Sequence, residues 1–427
     1  MGSLARDMSF KGTNVTNLHA WVLDLKHFLF AIALTLQLVP CVSFSLTDFE
    51  IQPFAFLTSL FCLALTRWYL PKTLWLLLIP PMACFSLIWI GDFDIALAAR
   101  SFVTYLTPFV IAACTYQTIK AGVNVERYIR IMMWVWCFVG TAQWLIDPYV
   151  FNFLVHAREG SGGGVAGLAP EPSFYGLSVI LMWLLLYYLH PSLAMSWRYL
   201  LLLVFQVFVL SASALASSIV ILSLAVWLVL NCKKISILVA VILGTGLYLF
   251  HLSMIGMIDV RTLFLLEKLI ESPADVLLLD GSVSERIFHI YLSLSHSVSD
   301  FLTPHGIYSF SDVIVEGQRT FSYFWIGDAS NKIMSGFGAA LYELGVFSLT
   351  YFFVTVRALL SQKAFSSGNK VFIAFVLFAC YFNSVTLAAP YFGILLGSMA
   401  AKQWLRKQGA KLPQLVVDQD GTAAAPA

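Results

Sequence analysis

Long apolar segments follow one another along most of the chain and are separated by short polar breaks. A transmembrane helix needs about 20 mostly apolar residues, and this rule gives twelve candidate spans. They lie near residues 27–46, 51–70, 73–91, 96–117, 128–149, 174–190, 197–211, 213–231, 235–251, 336–358, 370–386 and 388–405. The small residues at 211–218 barely separate the seventh span from the eighth, and the proline pair at 80–81 predicts a kink in the third. The pattern predicts an all-α polytopic membrane protein.

Two polar segments interrupt the apolar pattern, one at 150–173 and one at 252–335. The second is too long to be a structureless connector. It contains SVSE at 282–285, which matches a capping box, followed by apolar residues at helical spacing: Ile287, Ile290, Tyr291 and Leu294. The opposite face carries Arg286, His289, Ser293 and His296. This pattern predicts an amphipathic helix lying along the membrane surface.

The predicted division of the chain follows from these segments. An N-terminal bundle of about nine spans occupies 1–251, a large and partly helical loop 252–335, and C-terminal transmembrane helices 336–405, each span being counted by length and hydropathy. Residues 406–427 have the composition of a disordered tail.

The distribution of lysine and arginine predicts the orientation, because cytoplasmic loops carry the excess of these residues. With the N-terminus inside, most of the 25 lysines and arginines fall on the cytoplasmic side, and Arg100 lies within the fourth span. Those that fall outside are Arg158, Arg261, Lys268, Arg286, Arg319 and Lys332. Both termini are therefore predicted to be cytoplasmic, and both polar segments face the other side.

Composition agrees with a membrane protein and limits the classes of ligand. The chain is 59% hydrophobic and 11% charged, with a net charge of +2, which does not favour nucleic-acid binding. The seven cysteines lie in or beside apolar runs, so neither a disulfide framework nor a zinc site is predicted. Asp92 and Asp94 are either ligands for a hard cation on a phosphate or the ordinary acids of an outer loop. No metal or cofactor is assigned.

The glycine-rich stretch HAREGSGGGVAGLAPEPSFYG, residues 156–176, is the first candidate for chemistry. Arg158 stands beside glycines that let backbone amides approach an anion. The prolines around Glu171 stiffen the chain just ahead of a predicted helix with Ser173 as its N-cap. The alternative is a flexible loop whose proline, glutamate and serine only begin a helix.

Ionisable groups in or near the apolar spans supply further candidates. Arg286 would lie in the first turn of its helix, where the dipole disfavours a cation, so it is either a surface charge or one compensated by an anion. Arg100 either reaches the outer headgroups or pairs with Asp92 or Asp94, or it contacts a lipid phosphate. Glu343 either packs against a cation or has a functional role. His289 and His296 are better suited to hydrogen bonding than to metal binding.

Four stretches together resemble the bacterial O-antigen and related polysaccharide polymerases, which share their architecture with the O-antigen ligases. They are GLAPEPSFYG, preceded by an arginine and glycines; LSASALASSIVIL at 210–222; SVSERIFHIYLSL; and ASNKIMSGFGAALYELGVFSL at 329–349. Two features depart from the family: the second stretch lacks the arginine often found there, and Ser330 replaces the histidine that precedes Asn331 in ligases. The resemblance covers roughly residues 150–350.

The resemblance implies a GT-C-like membrane glycosyltransferase at the periplasmic face of a Gram-negative inner membrane. It would transfer a glycan from undecaprenyl diphosphate to a sugar hydroxyl of another lipid-linked repeat unit, without a cofactor. Its partners would be these lipid-linked glycans, membrane lipids and, left open, a polysaccharide chain-length regulator, with no nucleic acid. The implied catalytic residues are Arg286 and Arg158 on the diphosphate and Glu171 as the base, and a cavity between the 150–173 loop and the 252–335 insert would hold both substrates. The substrate-binding candidates are Arg319, Arg100, His289, Asn331 and Tyr175.

Two other functions remain open from the sequence. An O-antigen ligase would transfer finished polymer to the lipid A core, and the serine at position 330 argues mildly against it. A flippase for lipid-linked oligosaccharides would carry charged groups along a path through the membrane and would have short outer loops. The long polar insert argues against a flippase.

Overall fold

In the computed structural model, helices are the regular secondary structure of the described residues, with no β-strand among them. Extended segments of this part of the chain meet in one isolated antiparallel bridge, between Val42 and Val155. The described residues are 12–43, 51–66, 68–90, 95–151, 153–155, 164–231, 272, 281–323 and 333–409.

The first ten helices belong to the predicted N-terminal bundle, and the other six follow it. The first ten are α1 (Gly12–Leu38), α2 (Phe54–Ala64), α3 (Lys72–Trp75), α4 (Ile79–Ile90), α5 (Ile95–Lys120), α6 (Val125–Leu145), α7 (Pro172–Leu189), α8 (Pro191–Ala194), α9 (Trp197–Val204) and α10 (Ala214–Asn231). The others are α11 (Gly281–Ser299), α12 (Phe310–Thr320), α13 (Gly336–Leu344), α14 (Leu349–Leu360), α15 (Ser367–Phe382) and α16 (Tyr391–Lys407). Short 3-10 turns at Leu76–Leu78 and Gly345–Ser348 and a π-turn at Phe205–Leu210 continue their neighbouring helices.

Local chemistry explains where several of these helices begin. α6 begins after Asn124, whose side chain accepts a hydrogen bond of 3.0 Å from the Arg127 amide. The 3-10 turn Leu76–Leu78 precedes the proline pair at 80–81, and α4 begins one residue before that pair. The prolines therefore occupy the first turn of α4, where a missing amide hydrogen removes no helical bond.

Four helical stretches are long and apolar enough to cross a membrane, which is the architecture of a helical membrane protein. They are Lys72–Trp89, Ile95–Lys120, Pro172–Leu189 and Gly336–Leu360, and they match the third, fourth, sixth and tenth predicted spans. Shorter apolar helices lie at Phe54–Ala64, Trp197–Leu210, Ala214–Leu230 and Ser367–Phe382. The ninth predicted span, 235–251, lies outside the described residues. The total of twelve spans stays a prediction, as does the placement of the 252–335 loop.

Helices α5 and α16 pack closely because two glycines, four residues apart, open one face of α16. A Cβ atom at Gly393 would lie 2.6 Å from the Ile111 Cβ, and one at Gly397 would lie 2.4 Å from the Ala112 carbonyl oxygen. Side chains cannot occupy such positions, so the glycines let the two backbones approach each other. This is the small-residue packing common between membrane helices.

Helix α7 lies at the centre of the described part of the chain, and 83% of the residues in its apolar window are buried. Its C-terminal end is fixed by Lys402 of α16, whose ammonium donates hydrogen bonds to the carbonyls of Tyr188 at 2.8 Å and Leu189 at 3.2 Å. A cation satisfies the free carbonyls at a helix C-terminus and complements the helix dipole. The position of α7 along its own axis is therefore fixed at this end.

Helix α11 confirms the predicted helix, but its polar face points into the protein. Ile287 and Tyr291 are 45% and 53% exposed, whereas His289 and Ser293 are fully buried. The His289 Nδ1 atom accepts a hydrogen bond of 3.0 Å from the Met334 amide. Apolar residues therefore lie on both sides of α11, because Phe288 and Leu292 are buried beside the polar residues. The position of the helix along a membrane surface stays a prediction.

The packing partner of α11 explains this orientation. α13 lies against it through Gly338, where a Cβ atom would lie 2.6 Å from the Ser293 hydroxyl oxygen. Polar side chains on α11 therefore meet backbone and hydroxyl groups of the neighbouring segment. The helix begins at Gly281, one residue before the N-cap that the SVSE pattern predicts at Ser282. Differences of this size are usual at helix ends.

The Gly397→Val variant tests the close packing of α5 and α16. The new side chain must displace the backbone of α5, so we expect a loss of about 1–3 kcal/mol in the free energy of unfolding. The measurement is denaturant-induced unfolding of the purified protein in detergent. The control is Ser398→Ala, which removes a buried hydroxyl without a hydrogen-bond partner among the described residues and should not destabilise the protein. Equal stability of Gly397→Val and the wild type would contradict the packing argument.

Candidate functional site

Residues 164–171, the described part of the glycine-rich segment before α7, are held by hydrogen bonds to the surrounding chain. The Val165 amide donates to the Leu210 carbonyl at 2.8 Å, at the end of the π-turn. The buried Gln143 side chain of α6 accepts from the Gly167 amide at 2.6 Å and donates to the Val150 carbonyl at 2.9 Å. Backbone that is neither helix nor strand is tolerated at membrane depth only with such partners. This part of the segment is therefore an ordered element of the site.

Two glycines of this segment serve packing against the protein. A Cβ atom at Gly164 would lie 1.8 Å from the Ser211 carbonyl oxygen. Gly167 has a φ of +62°, and a Cβ atom there would lie 3.1 Å from the ring of Tyr175. The sequence predicts that glycines here let backbone amides approach an anion. Gly164 and Gly167 instead lie against atoms of the protein. Arg158 and the glycines at 160, 162 and 163 lie outside the described residues, so their predicted contact with an anion stays a prediction.

Glu171 occupies the N-cap position of α7, in extended backbone, and its side chain makes no capping hydrogen bond. The prediction of Ser173 as the N-cap was wrong, because α7 begins at Pro172 and Ser173 lies within its first turn. Proline at the first helical position requires no amide hydrogen, which explains why the helix begins there. The Ser173 hydroxyl donates to the Glu171 carboxylate. The carboxylate is therefore available to a partner outside the helix.

That partner is Arg286 of α11. Its Nη2 atom donates to Glu171 Oε1 at 3.0 Å and to the Ser173 hydroxyl at 3.2 Å. The side chains of Arg286 and Glu171 are only 14% and 21% exposed, so water screens the ion pair weakly. The two candidate segments, far apart in sequence, thus meet at one contact. The anion that compensates Arg286 within the described structure is Glu171.

The guanidinium of Arg286 is only partly satisfied. Its Nε atom is buried and has no hydrogen-bond partner among the described residues. A buried donor without a partner costs about 1–3 kcal/mol. Arginine presents its donors in a planar fork that matches carboxylate and phosphate oxygens. The guanidinium therefore has one donor, Nε, that its contact with Glu171 and Ser173 leaves unused.

Tyr175 and His289, both predicted to contact substrate, are fully buried. The Tyr175 ring stacks on Trp136, with centroids 5.6 Å apart, and its hydroxyl donates to Gln206 Oε1 at 3.1 Å. His289 contacts Phe310 edge-on, with centroids 5.7 Å apart, and accepts the backbone hydrogen bond from the chain before α13. Through these contacts both residues pack within the protein and position the site. Neither side chain offers a surface to a substrate.

The remaining candidates lie apart from the ion pair or outside the described residues. Arg319 is exposed on α12, and Arg100 is exposed on α5. Asn331 and the aspartates at 92 and 94 are not among the described residues, so their roles stay predictions. Within the described ranges, no cluster of three or more His, Cys, Asp or Glu side chains could hold a metal ion.

A cavity of about 390 Å³ lies near α11, between α2, α5, the start of α13 and residues 386–388. Arg100, Tyr105, Ser335 and Glu343 supply polar groups to its wall. The sequence predicted a cavity between the 150–173 loop and the 252–335 insert. Ile333, Ser335 and Tyr308 come from that insert, and α5 supplies most of the opposite wall. Residues 164–171 of the glycine-rich segment do not line this cavity, because they pack against α6 and the π-turn. Parts of both walls of the predicted cavity lie outside the described residues, so that cavity stays a prediction.

The side chain of Glu343 contacts a tyrosine and not the cation that the sequence suggested as one alternative. The Tyr105 hydroxyl donates to Glu343 Oε2 at 2.5 Å. Within the described residues, Glu343 makes no ion pair. The carboxylate therefore faces a neutral phenol in the wall of the cavity.

The loop after α11 holds the C-terminal end of α13 in place. The amides of His305 and Gly306 donate to the carbonyls of Tyr342 and Glu343, both at 3.2 Å. His305 also contacts Asp300 at 2.6 Å, and this hydrogen bond holds the pKa of the Asp300 carboxyl below its ordinary value. The hydrogen bond between His305 and Asp300 therefore stabilises the fold at neutral pH. This contribution is lost as the pH falls through the lowered pKa of Asp300.

Comparisons with known proteins give no relative for this chain: no protein-family model matches it, and no curated protein is significantly similar to it.

A double-mutant cycle on Glu171→Ala and Arg286→Ala measures the ion pair. Because both side chains are mostly buried, we expect a coupling of about 1–3 kcal/mol in the free energy of unfolding. The matched control is the pair Glu126–Arg130 of α6, at 3.5 Å and more exposed, where we expect about 0.5 kcal/mol or less. A coupling for Glu171 and Arg286 no larger than that of the control would show that the contact is not a stable part of the fold.

Proposed function

We propose that this chain is a membrane glycosyltransferase that polymerises oligosaccharide repeat units carried on undecaprenyl diphosphate into O-antigen or a related surface polysaccharide. The observation that carries the proposal is the Arg286–Glu171 contact at 3.0 Å. It joins two of the four stretches that resemble the polymerases, at the starts of α7 and α11. The resemblance supplies the substrate class, and the contact supplies a site where both stretches can act on one molecule.

The proposed reaction needs a cation and a base. The acceptor hydroxyl attacks the anomeric carbon of the donor glycan, and the bond from that carbon to the phosphate oxygen breaks. The undecaprenyl diphosphate leaves with the bonding electron pair, and the hydroxyl proton passes to the base. Arg286 stabilises the charge that develops on the departing diphosphate, with its free Nε donor as the added contact. Glu171 takes the proton.

The pairing of Arg286 with Glu171 gives the reaction an order. A diphosphate carries more negative charge than a carboxylate and competes for the same guanidinium. Binding of the donor therefore weakens the hold of Arg286 on Glu171 and turns the carboxylate towards the acceptor. Without the donor, Glu171 stays engaged with Arg286 and Ser173.

The proposed location is the periplasmic face of a bacterial inner membrane, with both termini in the cytoplasm. The excess of lysine and arginine in the predicted inner loops supports this orientation. The O-antigen ligase and the flippase are the alternatives, and the lipopolysaccharide of a deletion strain separates all three. Caps of a single repeat support the polymerase. Bare core with polymer on the carrier would indicate a ligase, and repeat units retained on the cytoplasmic side would indicate a flippase.

Arg286→Ala, expressed in the deletion strain, should abolish long-chain polysaccharide, because the leaving diphosphate loses its cation. Arg286→Lys should restore only short chains, because an ammonium lacks the planar fork of arginine. Chain length is read from a silver-stained gel at matched expression. Arg198→Ala, at an exposed arginine on the predicted cytoplasmic side, is the control and should give normal chains. Normal chain lengths in both Arg286 variants would remove this residue from the site.

Glu171→Gln keeps the shape of the side chain and removes the proton acceptor. A general base contributes about 100- to 10,000-fold to a rate, so we expect a loss of polymerisation of that order in a membrane assay with lipid-linked repeat units. The amide oxygen can still accept from Arg286, so the unfolding temperature should change little. Full activity of this variant would leave Glu171 with only a structural role at the start of α7.

A further inference from the structure

We infer that the cavity between α2, α5 and α13 is a carbohydrate-binding subsite in which Glu343 and Tyr105 bind hydroxyl groups of a sugar. The inference rests on the proposed function and names a second binding region for it. Neither residue was among the substrate-binding candidates. The position, the lining and the surroundings of the cavity support this assignment.

The polar groups of the cavity are held in place by different parts of the chain. Tyr105 comes from the middle of α5, and its backbone carbonyl accepts a hydrogen bond of 2.8 Å from the Tyr351 hydroxyl of α14. Glu343 comes from the last turn of α13, where Gly345 adopts a φ of +56° and packs on the loop after α11. A Cβ atom at Gly345 would lie 2.2 Å from the Leu302 carbonyl oxygen. Such fixed positions favour binding without reorganisation.

The composition of the wall favours a sugar over the other molecules that a membrane enzyme meets. The carboxylate oxygens and the phenol oxygen offer acceptors for hydroxyl groups, while the phenol hydrogen is donated to Glu343. Apolar side chains such as Phe56, Val103 and Leu387 cover most of the remaining wall and suit the apolar faces of a sugar ring. A lipid chain would bury the Glu343 carboxylate against hydrocarbon, at a large cost in desolvation.

The size and position of the cavity agree with an acceptor subsite. Its volume of about 390 Å³ lies within the range of about 300–1,000 Å³ that is usual for small-molecule sites. Ser335 in its wall follows Met334, whose amide donates to His289 of α11 at 3.0 Å. His289 lies one helical turn from Arg286, on the same side of α11. One hydrogen bond therefore connects the chain at the cavity wall with the helix that carries Arg286.

The test measures the binding of two separate probes to the purified full-length protein in detergent. One probe is the oligosaccharide repeat unit released by mild acid from the surface polysaccharide of the producing strain, without lipid or phosphate. The other is inorganic pyrophosphate, which reports on Arg286. Isothermal titration should show that Glu343→Gln weakens oligosaccharide binding about tenfold or more, as expected for a lost hydrogen bond to a charged group. Pyrophosphate binding should be unchanged in this variant.

A second variant covers the case in which Glu343→Gln fails to fold. Ala99→Phe changes an exposed residue of the cavity wall and should narrow the cavity without disturbing the core. It should weaken oligosaccharide binding to a similar extent. Glu316→Gln, at an exposed glutamate of α12, is the matched control and should bind both probes as the wild type does. Arg286→Ala should lose pyrophosphate binding and retain oligosaccharide binding.

The outcomes separate this inference from the proposed function. Oligosaccharide binding that is absent from the wild type, or unchanged in Ala99→Phe, overturns the subsite and leaves the donor site intact. Displacement of the oligosaccharide by a phosphate-free polyprenol would make the cavity a lipid site and would also overturn the inference. Absence of pyrophosphate binding in the wild type would count against the proposed function, and the oligosaccharide titrations would still decide the subsite.

Discussion

The burial of helix α7 is the constraint on which the candidate site depends. Nearly all of its residues are buried, so its ends cannot move without disturbing its neighbours. Lys402 holds the last carbonyls at one end. At the other end, the stacking of Tyr175 on Trp136 and the contact of its ring with Gly167 hold the glycine-rich segment. The backbone of Glu171 therefore has a fixed position, and its carboxylate contacts Arg286 from there.

The two carboxylates near α11 have different surroundings, and this difference suits different tasks. Glu171 lies beside a guanidinium and a hydroxyl, in partial contact with solvent. Glu343 lies beside a phenol in the wall of a cavity. A carboxylate next to a cation can exchange partners when a stronger anion arrives, whereas one held by a phenol can only share hydrogen bonds with a neutral ligand. The pattern agrees with separate donor and acceptor regions.

The sequence predicted α11, the four helical stretches long enough to cross a membrane and two of the residues that meet, but it could not predict their contact. Apolar runs of about 20 residues identify spans because hydrocarbon requires every backbone group to bond internally. Glu171 and Arg286 were identified from proline and dipole arguments that are local to each segment. Their meeting depends on the packing of α7, α11 and α13, which no local pattern contains.

The residues that sequence reasoning missed left a signal that could have been used. Gln143 and Gln206 are single amides within apolar spans, and both are buried. A polar side chain at such a position indicates an internal hydrogen-bond partner, here the Gly167 amide and the Tyr175 hydroxyl. The GxxxG spacing from Gly393 to Gly397 likewise marks a helix contact.

The Arg286–Glu171 contact brings the N-terminal parts of two helices together. α7 begins beside Glu171, and α11 begins one and a half turns before Arg286. Each N-terminus presents amide hydrogens and the positive end of a helix dipole, which favours anions. Within the described residues Glu171 is the anion that meets Arg286 there. A second, stronger anion such as a diphosphate would find the same field together with the unoccupied Nε donor of Arg286. The fold thus favours a negatively charged ligand at this end of α7 through its backbone as well as through its arginine.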